Sequence, residues 1–183
     1  MNQFMSVVID ANVFHAFLYE TIRDEVHPER TASPMPLFHS LGVQAIAFVD
    51  EGGQIEAEWR TLCGGANEWF DTWLAECFSE GRIYAIEPSK DATLSKRYHA
   101  VGFPRGKDMW YIKVVHGLAG ICNRNKPTLV AEDVDFYDPT KKRQANKKAI
   151  FKAGKGPVCS AMKIDGIMVK CIQTVCNELE VVG

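Results

Sequence analysis

Ser6-Val7-Val8-Ile9-Asp10 and Thr128-Leu129-Val130-Ala131-Glu132 are the stretches that decide how this chain is read. Each is a short apolar run rich in β-branched residues and ending on a carboxylate. Runs of that length read as fully buried strands of a parallel sheet. In an open α/β sheet, ligands gather outside the carboxyl ends of the strands. Asp10 and the acids after Ala131, namely Glu132, Asp133 and Asp135, are therefore expected along one edge. Carboxylates packed so closely raise one another's pKa unless a cation offsets the charge, so a divalent-metal site is the economical reading.

Outward from these two runs, strands and helices alternate. The first strand (5–9) leads into a helix over 12–18. The segment 21–36 carries Pro28, Pro34 and Pro36 among mixed charges and reads as a long surface loop. A short helical piece near 37–41 precedes a strand over 43–49 and the turn Asp50-Glu51-Gly52-Gly53. Over 55–62, Ile55, Glu58, Trp59 and Leu62 recur at helical spacing, which puts Glu58 on the inward stripe. Glu56 falls on another face, where Arg60 is positioned to pair with it. Asn67 reads as the cap of a helix whose Trp69, Phe70, Trp73, Leu74 and Phe78 are core residues. A strand over 83–86, a helix capped by Asp91 and running to about 101, and a loop over 102–107 follow. A helix over 108–119 carries Asp108 at its positive end, where a carboxylate is stabilised. A strand over 166–169 and a helix over 172–179 close the chain. This order predicts an α/β fold, a three-layer α/β/α sandwich around a mostly parallel sheet.

Composition narrows the function classes. With 183 residues, 46% of them apolar and 10% aromatic, the chain is long enough for one good core and is expected to fold as a single domain over 1–183. Six scattered cysteines without a C-x-x-C pair, and no charged-then-apolar leader, point to a reduced, cytoplasmic setting and away from structural zinc. No apolar stretch approaches the roughly 20 residues that span a bilayer, so no membrane partner is expected. The net charge of −2 conceals segregation: Lys141, Lys142, Arg143, Lys147, Lys148, Lys152 and Lys155 lie within 139–157 with no acid among them, leaving −9 for the rest. A basic insertion on an acidic protein suits a polyanion, because phosphate contacts with counterion release supply most non-specific affinity. The alternative is a solvated surface run. Arg105 and Lys107 flank Asp108 beside a helix start and are further candidates for touching phosphate. Gly154-Lys155-Gly156 lacks the surrounding pattern of a phosphate loop.

Taken together, V-V-I-D-A-N-V at Val7, D-x(7)-E-W from Asp50 to Trp59, G-K-D-M at Gly106 and L-V-A-E-D-V-D-F at Leu129 resemble the PIN-like nuclease family, across most of the chain. The resemblance implies that Asp10, Glu58, Asp108 and Asp133 surround Mg2+ or Mn2+, with Asp135 as an auxiliary catalytic acid and Asn12 orienting the first aspartate. It further implies hydrolysis of RNA phosphodiester bonds by a metal-activated water; the basic insertion is extra to small toxin-type members of that family, and its Lys141, Lys142, Arg143, Lys147 and Lys148 are expected from their charge alone to grip substrate. DNA as a second substrate, an inhibitor or accessory protein, and oligomerisation stay open. Each acid also has a structural alternative: Asp10 and Asp108 as helix caps, Glu58 as a partly exposed helix residue, Asp133 and Asp135 in an Asx turn. A catalytically silent RNA-binding or scaffold module is the competing reading. A haloacid-dehalogenase-like phosphatase is less favoured, because the second acid of its D-x-D motif is replaced here by Asn12, which cannot exchange a proton. A response-regulator receiver would need an acidic pair near the first strand.

Overall fold

Val7, Val8 and Ile9 are almost wholly withdrawn from solvent, as are Leu129, Val130 and Ala131, because both runs lie in the middle of a sheet covered on its two faces. The computed structural model describes residues 4–106, 108–122 and 125–181. Its strands are β1 (Met5–Ile9), β2 (Ala45–Asp50), β3 (Ile83–Ile86), β4 (Thr128–Val130) and β5 (Met168–Lys170), all parallel and in the order β3-β2-β1-β4-β5. Val7 pairs with Ala47 on one side and Thr128 on the other, and Ile9 lies opposite Val130. The chain steps outward from β1 to β3, then crosses back to β4 and continues to β5. The strand order thus reverses between β1 and β4, and a crevice opens at the carboxyl ends of those two strands. Asp10 and Asp133 follow them there.

Helices fill the outer layers of an α/β/α sandwich. α1 (Ala11–Arg23), α2 (Met35–His39), α3 (Gln54–Leu62) and α4 (Asn67–Ser79) belong to the first half of the chain, and α5 (Leu94–Ala100) and α6 (Met109–Ile121) to the crossover. α7 (Lys147–Ala153), α8 (Pro157–Ile164) and α9 (Ile172–Val181) complete it. α6 packs across β1, β2, β3 and β4, while α1 meets α3 and α2 meets α9. Of the α4 residues expected in the core, Phe70 and Leu74 are buried and Trp73 and Phe78 partly so, Trp73 beside Phe14, Phe17 and Phe38, whereas Trp69 is exposed and stacks on Trp73. Phe14 stacks on Trp59 with ring centroids 4.6 Å apart. Among the described residues no helix is long and apolar enough to cross a membrane.

Several local expectations are corrected. α1 runs on to Arg23, where Asp24 ends it in the left-handed conformation, because nothing between Leu18 and Arg23 breaks a helix. Leu62 is exposed at the fraying end of α3 instead of lying on its buried stripe. Arg60 pairs with Asp71 of α4, and not with Glu56. The basic insertion holds a helix, α7, that its lysines concealed, and a second one, α8, starts at its last residue, Pro157. Asn146 caps α7 by accepting from the Ala149 amide at 3.2 Å, and Ile150, Phe151, Val158 and Met162 anchor α7 and α8 in the core. Gly154 ends α7 in the left-handed region. Gly156 has φ 148° and lies so close to Tyr137 that a Cβ would stand 2.3 Å from its carbonyl oxygen. These two glycines are therefore needed by the backbone.

Candidate functional site

Five carboxylates approach one another from four segments, Asp133 and Asp135 sharing one. Asp10 leaves β1 and caps α1: its Oδ2 accepts from the Asn12 amide at 3.2 Å, and its carbonyl accepts from Val13 and Phe14. Asp133, three residues beyond β4, accepts the Asp135 amide on Oδ1 at 2.9 Å and the Asn12 side-chain amide on Oδ2 at 3.2 Å. The side chain of Asn12 therefore orients Asp133, and only its backbone meets Asp10. Asp108 precedes α6, yet its side chain makes no capping hydrogen bond. Glu58 is half-buried on α3 and accepts the Tyr111 hydroxyl at 2.9 Å. Tyr111, three residues after Asp108 on α6, is wholly buried.

These acids feel one another's charge. Burial pushes the Asp10 carboxyl well above the ordinary carboxylate range, and the charges of Asp133 and Asp108 add to the push; the Asn12 amide opposes it and Glu58 contributes further. The Asp108 carboxyl is raised to about 6, first by burial, then by Asp133, Glu58 and Asp135, with Lys142 opposing. Burial holds the Tyr111 phenol protonated, and the charges of Asp10 and Glu58 reinforce this, so it stays a donor to Glu58. Such shifts mark acids that are buried together with too little compensating charge.

Asp135 adds an independent sign. It is only 4% exposed, its Oδ2 holds the Lys142 ammonium at 2.6 Å, and its Oδ1 is buried without a hydrogen-bond partner among the described residues. A hard-oxygen donor set with an orphaned carboxylate oxygen fits Mg2+ or Mn2+. As the side chains stand, no group of three or more His, Cys, Asp or Glu among the described residues is arranged to hold an ion. The carboxylates are Coulomb neighbours and not a closed cage.

Beside Asn12, Asp133 and Asp135 opens a cleft of about 770 Å³, whose other wall is the basic insertion: Lys142, Arg143, Lys147 and Lys148. Arg30 also lines it, and the 21–36 segment is thus not merely a surface loop. Arg30 is 9% exposed and donates to the Glu132 carbonyl at 3.2 Å and to Asn12 Oδ1 at 3.3 Å. Arg30 and Tyr111 were not legible as site residues: an arginine among prolines looks solvated, and a tyrosine in an apolar helix looks like core.

The structure also sorts acids that look alike in sequence. Glu132 accepts from the Thr31 amide and hydroxyl and from the Ile172 amide, so it ties the 21–36 segment to the start of α9. Asp50 gives both oxygens to the amides of Gln54 and Ile55, each at 2.8 Å. Neither has an oxygen to spare for the crevice. Among the basic candidates, Lys141 pairs with Asp138 and does not line the cleft. Arg105 lines a separate hollow with His99, Trp110 and Lys113, and Lys107 lies outside the described residues. No family model, no curated protein and no solved structure matches this chain.

Proposed function

We propose that this chain is a PIN-like, metal-dependent endoribonuclease. The observation that carries the reading is the meeting of five carboxylates at the switch between β1 and β4 with a cleft walled by Lys142, Arg143, Lys147 and Lys148. Acids for a cation and bases for a polyanion side by side are what phosphodiester hydrolysis requires. Asp10, Glu58, Asp108 and Asp133 would hold Mg2+ or Mn2+, with Asp135 alongside. The chemistry such an ion supplies when bound is a water of lowered pKa and neutralisation of charge gathering at phosphorus.

The chain's own groups do the rest. Arg143, Lys147 and Lys148 take the phosphates of the substrate strand and set the scissile linkage at the acidic end of the cleft. Asn12, held by Arg30, keeps Asp133 in place, and Tyr111 does the same for Glu58. No protein nucleophile is required: water attacks phosphorus, the P–O bond opposite breaks, and one strand end keeps the phosphate while the other takes the proton.

A catalytically silent RNA-binding module is the second reading, favoured by the Lys142–Asp135 pair and by the open arrangement of the acids. Labelled RNA and DNA incubated with the purified protein in Mg2+, Mn2+ or chelator separate the two. The nuclease reading expects RNA to be cut only with metal, and Asp10→Asn or Asp108→Asn to slow cutting about a hundredfold or more, on the order of losing one charge-stabilising group. RNA bound but never cut would establish the silent module instead.

A further inference from the structure

Lys142 faces two ways. It follows the 3-10 turn Pro139–Lys141, whose cap, Asp138, accepts the Thr140 amide at 3.2 Å, so its backbone is anchored while its four-carbon stem stays free to swing. On one side its ammonium lies 2.6 Å from Asp135 Oδ2, at the edge of the acid group. On the other it lines the cleft with Arg143, Lys147 and Lys148. Its side chain is 55% exposed and that of Asp135 only 6%, so the lysine is the mobile partner. Asp133 and Asp108 also favour its charged form, and it in turn opposes the rise of the Asp108 pKa.

We propose that Lys142 is a tethered counter-ion of the metal-free site, which a divalent cation displaces from Asp135 and which then takes a phosphate of the nucleic acid in the cleft. The inference rests on reading the acids as a metal site. The displacement is feasible because a half-exposed ion pair contributes a factor of only about five to an equilibrium constant, whereas a divalent ion can draw on several carboxylates at once. The exchange places two positive charges where one stood: the cation among the acids, the ammonium against the phosphate. Coupling of this kind is reciprocal, so metal strengthens phosphate binding and phosphate strengthens metal binding.

Mn2+ affinity measured by titration calorimetry tests the first half. Lys142→Gln should bind Mn2+ roughly five- to tenfold more tightly than the wild type, since the competing charge is gone. Lys142→Arg, which keeps a cation at the position, should return to the wild-type affinity. Lys152→Gln removes an exposed charge of the same segment outside the cleft and should change nothing. The second half is read by anisotropy of a single-stranded phosphorothioate oligonucleotide, which resists cutting: Mn2+ should strengthen its binding to the wild type at least about threefold more than to Lys142→Gln, a difference of one phosphate contact. Circular dichroism checks that each variant is folded, and metal-free Lys142→Gln should melt below the wild type and gain more from Mn2+. Equal Mn2+ affinity of the wild type and Lys142→Gln, a gain shared by Lys152→Gln, or equal Mn2+ increments in oligonucleotide binding would each overturn the exchange while the metal site stands. Failure of every variant and of the wild type to bind Mn2+ would overturn the metal site, and the exchange with it.

Discussion

Replacing Asp108 by Asn is expected to make the metal-free protein more stable at neutral pH and to leave it unchanged in acid. The Asp108 carboxyl titrates near 6 in the folded chain against an ordinary 3.8, because it is buried and faces Asp133, Glu58 and Asp135. Between those pH values the folded state keeps a proton that the unfolded chain has released. Stability therefore falls as pH rises through the window and stays at the lower level above it. Two pKa units at ~1.4 kcal/mol each amount to about 3 kcal/mol. Asp108 is partly open to solvent, and screening reduces this to roughly 1–2 kcal/mol. For a chain of this size that is a rise in Tm of roughly 3–6 °C. Thermal melts of Asp108→Asn and wild type in chelator, followed by circular dichroism, should coincide at pH 4 and separate at pH 7.5 with the variant higher. Adding Mn2+ should reverse the order, since the wild type alone keeps the full ligand charge. A variant that melts at or below the wild type at pH 7.5 in chelator would refute the claim that these acids are crowded and only partly neutralised by Lys142.

Other expectations follow from particular contacts. Glu58→Gln should lower RNA cleavage by about a hundredfold while Glu56→Gln leaves it near the wild-type rate, because Glu58 alone meets Tyr111 and the Asp10 group; equal rates in the two variants would show that the face of α3 has been misassigned. Replacing Arg143, Lys147 and Lys148 together by Gln should raise the KM for RNA and flatten its log–log salt dependence by about 0.7 per lost single-strand contact, with kcat less affected. An unchanged salt slope would make the insertion a solvated surface. Glu132→Ala strands the amides of Thr31 and Ile172 and should cost roughly 2–4 kcal/mol in urea unfolding; a loss below about 1 kcal/mol would mean that water replaces those bonds.

Much of the framework was readable residue by residue. β-branched runs ending on acids announced β1 and β4, and with them the crevice that Asp10 and Asp133 enter. Helical phase picked Glu58 over Glu56 even though Leu62, one member of the same stripe, turned out to be exposed. Such patterns are legible because strand and helix periods decide which way a side chain points from its own neighbours alone. The use made of each acid was not legible in this way. Asp50, Glu132 and Asp133 all lie at strand ends, but Asp50 is consumed by the amides of α3, Glu132 by Thr31 and α9, and of the three only Asp133 adds its charge to the Asp10 group. Likewise, Arg30 is buried against a carbonyl 102 residues further along the chain, and Lys142 points at Asp135 instead of into solvent. Sequence by itself determined the strands, their order of appearance and the acids that could take part. Only the tertiary structure decided which acids keep free oxygens and which cations face them, because that depends on backbone amides and charges brought from distant segments, which no local period encodes.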